Sequence, residues 1–128
     1  MDATRMSFSD GTFDVAIEKG LLDALGCAEQ RQLQMATFLK EVVRVLQPKG
    51  LFFCISLHAQ RAQLLQDGPW KFKVVESVQL SCNSRMYVCQ KTEASHKCLT
   101  HWPEFQLRFR RSLNVQDFEA VESEEGCW

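Results

Sequence analysis

The chain contains few glycines and prolines and no long apolar run. Its six glycines stand at positions 11, 20, 26, 50, 68 and 126, and no two are spaced as Gly-x-Gly. The glycine-rich loop that lets a backbone approach a nucleotide cofactor in many α/β folds is therefore not encoded. No apolar run approaches the length of a membrane span, and nothing at the N-terminus resembles a signal peptide. We therefore expect a cytoplasmic protein with reduced thiols and no membrane contact.

The cysteines and charges also exclude several classes of site. The six cysteines form no persuasive disulfide framework. The spacing His96-x-Cys98-x-x-His101, with Cys89 upstream, matches no standard zinc pairing, so we predict no metal site and keep a zinc-binding tail as the weaker alternative. A net charge of −1 gives no support for nucleic-acid binding.

One short predicted strand is followed directly by candidate site residues. Residues 13–17 are apolar on both parities, which favours burial on both faces, as in a parallel sheet. Gly20 permits a sharp exit into a helix that begins near Leu21. Ligands of α/β sheets bind at the carboxyl ends of strands, so we expect chemistry at Glu18, Lys19 and Gly20.

The remaining pattern predicts an α/β fold. Apolar residues recur at helical spacing over 29–47, and Pro48-Lys49-Gly50 is expected to end that helix before a strand over 51–57. A short helix over 59–65 and two strands over 70–80 and 85–91 follow. We expect residues 92–128 to form a divergent, partly disordered tail, in which alternating Phe105, Leu107 and Phe109 fit one strand.

Two motifs resemble one enzyme family. The chain is similar to the class I S-adenosylmethionine-dependent methyltransferases, in the subgroup that methylates lysines of translation elongation factor 1 alpha. The first motif is Asp2, Met6, Phe8, Asp10, Phe13-Asp14-Val15-Ala16-Ile17, Glu18-Lys19-Gly20 and Leu21-Leu22-Asp23-Ala24-Leu25, in which Leu21 replaces the usual Thr. The second is Arg44-Val45-Leu46-Gln47-Pro48-Lys49-Gly50, in which Lys49 stands where the family has glycine. The resemblance covers residues 1 to about 91 and implies a Rossmann-like sheet that ends in an antiparallel strand pair.

The resemblance implies roles for individual residues. Asp2 would accept a hydrogen bond from the adenine amino group, and the backbone N–H of Ala3 would donate to an adenine ring nitrogen. Lys19 would contact the cofactor through its main chain, since an ammonium beside a sulfonium is repulsive. Glu18 could face the methyl group and take the proton of the incoming amine. The alternative is a strand end with solvated charges, and Asp23 is expected to be a first-turn carboxylate favoured by the helix dipole.

The motifs by which the family binds the methionine end and the ribose of the cofactor are not found in these residues. Such enzymes hold the methionine end with a Gly-rich loop after the first strand and the ribose with a carboxylate after the second. Losing about three such hydrogen bonds, roughly 1.5–3 kcal/mol each, weakens binding by about a thousandfold or more. We therefore expect residues 1–91 to be the C-terminal part of a methyltransferase domain, in a truncated product with little or no activity.

The expected truncation leaves a second function open. The strand over 13–17, central in the family, would become an apolar edge without the charges or proline that protect natural edges. The expected partners are a protein substrate such as a translation elongation factor, together with a chain that covers this edge. The alternative function is a non-catalytic interaction module that pairs its bare strand with a partner.

Overall fold

A computed structural model describes residues 1–58, 60–81 and 83–100, with the backbone alone for residues 98–100. No helix in these ranges combines the length and the apolar character that a membrane span requires. Helices and strands alternate, which confirms the predicted α/β class. The elements in chain order are β1 (Phe13–Lys19), α1 (Leu21–Leu25), α2 (Arg31–Val45), β2 (Leu46–Ser56), α3 (Arg61–Asp67), β3 (Lys73–Gln79), β4 (Arg85–Gln90) and α4 (Glu93–Thr100).

The strands form one mixed sheet in the order β1-β2-β4-β3. β1 runs parallel to β2, whereas β4 runs antiparallel to both β2 and β3. The predicted antiparallel pair at the end of the domain is therefore confirmed. Within the described ranges, β1 and β3 are the outer strands of this sheet. α4 falls inside the predicted tail, and the strand predicted around Phe105 lies outside the described residues.

The boundary between the second helix and the second strand differs from the sequence prediction. The helix predicted over 29–47 ends at Val45, and β2 begins at Leu46 instead of after Gly50. Pro48 has no backbone N–H and disfavours helical geometry in the residue before it, so the chain becomes extended early. Lys49 takes a left-handed backbone conformation with φ of 63°. The predicted turn is thus an irregularity within the strand.

The hydrophobic core lies on one face of the sheet. α2 turns Phe38, Leu39 and Val42 toward Phe52 of β2, and the rings of Phe38 and Phe52 lie 6.4 Å apart. Cys54 and Cys89 are both fully buried in this core. The fully buried core residues include Trp70, Tyr87, Phe52, Leu22, Leu39, Leu46, Leu65, Val43, Cys54 and Cys89.

The opposite face of the sheet is apolar and open in the described part of the chain. Strand register aligns Ile17 with Phe53 and Phe53 with Val88, so these side chains form one row. Ile17 is 69% exposed and Val15 is 45% exposed. The open face, as we name it, consists of Val15, Ile17, Leu51, Phe53, Ile55 and Met86, none of which belongs to the core cluster of the described residues, whereas Val88 in the same row is buried.

Candidate functional site

The carboxyl end of β1 turns sharply into α1. Gly20 has φ of 75°, a conformation that glycine adopts without a steric penalty, and α1 begins at the next residue. The N–H of Gly20 donates to the carbonyl oxygen of Ile55 at 3.0 Å, which joins the ends of the two parallel strands. The exit predicted from Gly20 is confirmed.

Glu18 is buried at this turn, with 7% of its surface exposed. Its Oε2 accepts hydrogen bonds from the N–H groups of Leu21 at 2.9 Å and Leu22 at 3.2 Å. The thiol of Cys54 donates to its Oε1 at 2.7 Å. Burial raises the pKa of Glu18, and these three hydrogen bonds offset the rise only in part. Glu18 therefore caps α1, whose Leu21 lacks the hydroxyl usual at that position.

A second buried carboxylate, Asp23, joins α1 to the segment after β2. Its Oδ1 accepts from Arg61 Nη2 at 3.0 Å and from the Ser56 hydroxyl, and its Oδ2 accepts from the N–H of Leu57 at 2.9 Å. The Ser56 hydroxyl oxygen also accepts from the N–H of His58 at 2.9 Å. Burial alone would raise the pKa of Asp23, but the hydrogen bonds from Ser56, Leu57 and Arg61 outweigh it and lower the pKa. Asp23 does lie in the first helical turn, but its charge is balanced mainly by Arg61.

Asp2 and Ala3 occupy an N-terminal turn. Asp2 is exposed, and its Oδ1 accepts hydrogen bonds from the N–H of Thr4 at 2.8 Å and from the Thr4 hydroxyl at 2.7 Å. These bonds lower the pKa of Asp2, so its carboxylate is ionised at neutral pH. Ala3 is partly buried against the core.

The structure brings Ala3 and Glu18 to the same groove. This β1 groove, with a volume of about 270 Å³, runs along the outer edge of β1, and its lining includes Met6 and Phe38 together with Val15 and Ile17 of the open face. Lys19 is exposed at the strand end, and neither Lys19 nor Asp2 lines the groove. Apolar walls suit a flat ring, but the described groove offers no glycine-lined approach to a ribose or a methionine tail. Of the four predicted site residues, this groove therefore brings together Ala3 and Glu18 and leaves Asp2 and Lys19 outside its lining.

The cysteine and histidine pattern yields no metal site in the described ranges. No cluster of His, Cys, Asp and Glu there has the geometry to hold an ion. The Cys98 side chain and His101 lie outside the described residues, so the zinc alternative is not tested. His58, which followed a predicted strand, is exposed at the end of β2.

Sequence comparisons identify related proteins. Residues 1–54 match the family model described as "Methyltransferase domain". The "eEF1A lysine and N-terminal methyltransferase homolog" of Drosophila pseudoobscura pseudoobscura is 34% identical over 99 residues, which cover 76% of this chain and 14% of that protein. The "eEF1A lysine and N-terminal methyltransferase" of Homo sapiens is 46% identical over 59 residues, which cover 44% of this chain and 8% of that protein. The chain thus spans a small part of these curated relatives.

Solved structures share the fold. A SAM-dependent methyltransferase from Methanosarcina mazei aligns with a TM-score of 0.52 at 13% identity, covering 72% of this chain and 65% of that chain. A protein from Pyrococcus horikoshii OT3 aligns with a TM-score of 0.52 at 20% identity, covering 72% of this chain and 57% of that chain. At these identities the likeness concerns the arrangement of strands and helices.

Proposed function

Because the chain belongs to the class I S-adenosylmethionine-dependent methyltransferases, we propose that it supplies the adenine side and the acceptor side of a site that methylates a protein amine. The observation that carries this proposal is the β1 groove, which joins Ala3 to Glu18 at the carboxyl end of a parallel strand. In α/β sheets this end of the strands is where ligands bind.

The cofactor contacts follow from the chemistry of the chain's own residues. The ionised Asp2 carboxylate would accept from the adenine amino group, and the backbone N–H of Ala3 would donate to the ring. Lys19, exposed after the strand, would contact the cofactor through its main chain. Bound S-adenosylmethionine supplies an electrophilic methyl group.

Glu18 has two candidate roles, as a cap of α1 and as a proton acceptor. Its carboxylate already binds two backbone N–H groups and the Cys54 thiol, which leaves about one of its roughly four acceptor positions, on Oε1, for an incoming amine. We propose that its first role is to fix the start of α1 and, with it, the Lys19-Gly20 turn. A role as proton acceptor is the further hypothesis.

The proposed acceptor is a lysine or terminal amine of a translation elongation factor, in the cytoplasm. Relatives at 34% and 46% identity are named for lysine and N-terminal methylation of eEF1A. The match to the human protein covers 44% of this chain and 8% of that protein, so the acceptor is inferred by analogy with the relatives.

For this polypeptide by itself we propose little or no activity. Among the described residues only the adenine side of the cofactor has partners, so S-adenosylmethionine should bind less than about tenfold more tightly than adenosine. A titration of the isotope-labelled full chain with each ligand, followed by NMR, tests this. Adenosine is expected to shift the amide signals of residues 2–4 at millimolar concentrations, and the added methionine tail should improve the affinity less than about tenfold.

Two variants give this titration a matched control. Asp2→Ala should abolish the adenosine shifts, whereas Asp67→Ala, which removes another exposed aspartate, should leave them unchanged. Saturable micromolar binding of S-adenosylmethionine by the full chain would refute the proposed inactivity. Adenosine shifts that are absent, or that persist in Asp2→Ala, would refute the adenine assignment.

A second candidate function is a non-catalytic interaction module. It is favoured by the open face and by the position of β1 at the outside of the described sheet, where Ile17 is 69% exposed. Such a module would pair β1 with a complete methyltransferase of the same family. Sedimentation of the chain with the complete Drosophila relative should then show a complex that Ile17→Lys weakens and Val75→Lys, at an exposed site on β3, does not. Absence of a complex at high micromolar concentration would contradict this function.

A further inference from the structure

The N-terminal segment from Asp2 to Gly11 contains neither helix nor strand, and Arg44 of α2 binds it at several points. The guanidinium donates from Nη2 to the carbonyl oxygen of Met6 at 3.1 Å and from Nη1 to that of Phe8 at 2.8 Å. Nη1 also lies 2.8 Å from Asp10 Oδ1. The carbonyl oxygen of Arg44 accepts from the N–H of Gly11 at 2.9 Å. One residue of α2 thus holds most of this segment.

Glu41, one turn earlier on α2, also binds this segment; we call the contacts of Glu41 and Arg44 with Met6 the grip on Met6. Its Oε2 accepts from the N–H of Met6 at 2.8 Å, so the backbone of Met6 is bound at both its N–H and its carbonyl. Arg44 donates to Glu41 from Nε at 2.8 Å and from Nη2 at 2.9 Å, a two-point pairing of guanidinium and carboxylate. Glu41 is only 4% exposed. Burial would raise the pKa of Glu41, but the bonds from Arg44 and Met6 outweigh it and lower the pKa, so the pair stays charged at neutral pH.

The covalent chain connects Met6 through Arg5 to a hydrogen-bonded turn at Asp2. The N–H of Arg5 donates to the carbonyl oxygen of Asp2 at 3.0 Å, and Thr4 binds the Asp2 carboxylate. Met6 and Ala3 both line the β1 groove. Displacing Met6 would therefore displace the turn that presents Asp2 and Ala3.

We propose that Glu41 and Arg44 are positioning residues for the adenine-binding turn, acting through the backbone of Met6 and Phe8. The adenine part of this inference rests on the proposed function, whereas the grip on Met6 does not. The chemistry requires arginine at position 44, because a lysine ammonium cannot bind the Glu41 carboxylate and two carbonyl oxygens in the planar arrangement that a guanidinium allows.

Hydrogen exchange and adenosine titration of the full chain test the two parts separately. Arg44→Lys keeps the charge and should raise exchange at the Met6 amide roughly tenfold or more, while core amides such as that of Phe53 in β2 keep their rates. The same variant should weaken the adenosine shift at Ala3 by a similar factor. Lys40→Ala is the matched control, since Lys40 Nζ lies 3.3 Å from Glu41 Oε1 but donates no hydrogen bond to the N-terminal segment among the described residues.

Each outcome decides one part of the inference. An unchanged exchange rate at the Met6 amide in both Arg44→Lys and Glu41→Gln would overturn the positioning role. An equal rise in the exchange rates of all core amides would also overturn it, because the pair would then stabilise the whole fold. If Met6 exchange rises but adenosine shifts nothing in the unaltered chain, the grip stands and the adenine assignment, together with the proposed function, fails.

Discussion

Replacing Lys49 with glycine should stabilise the protein. Lys49 has φ of 63°, a left-handed conformation that places Cβ too close to the following carbonyl oxygen. Its side chain is exposed, so truncation removes little packing. Glycine is also the residue that the resembling family carries here, in the motif that ends at Gly50.

The magnitude follows from two opposing effects. A non-glycine residue in this conformation costs about 1–2 kcal/mol. Glycine loses more backbone entropy on folding, which offsets about 0.5–1 kcal/mol of the gain. Lys49→Gly should therefore raise the free energy of unfolding by about 0.5–1 kcal/mol, which corresponds to a rise in Tm of roughly 2–6 °C for a domain of this size.

Urea and thermal unfolding of the variant measure this gain. Lys49→Ala is the control and should gain little, because alanine keeps the Cβ that causes the strain. Gly50→Ala should destabilise, because its Cβ would lie 2.8 Å from the carbonyl oxygen of Gln47 and 3.2 Å from that of Asp14. A Lys49→Gly protein that is no more stable than Lys49→Ala would refute the reasoning.

Three further predictions concern buried contacts. Gly68→Ala would drive a Cβ into the Trp70 indole, so it should destabilise by about 1–3 kcal/mol and shift the tryptophan emission, and an unchanged spectrum would contradict the packing. Asp23→Asn should destabilise by about 3–5 kcal/mol at neutral pH by leaving Arg61 unpaired. Because the pKa of Asp23 is lowered, its contribution is present above the ordinary carboxyl pKa near 3.9 and lost as the pH falls through the lower folded value. Urea unfolding should thus show the difference from Asn shrinking in acid, and a difference independent of pH would argue against the ion pair. The pKa of Glu18 is raised, so the sign of its pH dependence is opposite. The stability that Glu18 contributes is highest below the ordinary pKa near 4.3 and falls as the pH rises through the folded pKa. Glu18→Gln should therefore flatten this part of the pH profile, and a profile that keeps its slope would contradict the assignment.

Much of the fold could be predicted because its signals are local. The apolar run of β1, the positive φ at Gly20 and the helical spacing of α2 each depend on residues adjacent in the chain. The start of β2 was missed because a proline-glycine segment usually indicates a turn, whereas here the strand continues through the strained Lys49. α4 was missed because its 8 residues are too short a segment to establish a helical repeat from sequence.

The sequence by itself determined most of the helices and strands, although not the start of β2 or α4, as well as where Gly20 turns the chain and which family motifs lie at the end of β1. Only the tertiary structure decided that Glu18 caps α1, that Asp23 pairs with Arg61, and that Glu41 and Arg44 hold Met6. Met6 lies 35 residues from Glu41 and 38 residues from Arg44 along the chain, and Asp23 lies 38 residues from Arg61. Hydrogen bonds and ion pairs leave no periodic pattern along the chain, because a charged residue that will be buried beside a distant partner looks the same in sequence as one that will face water.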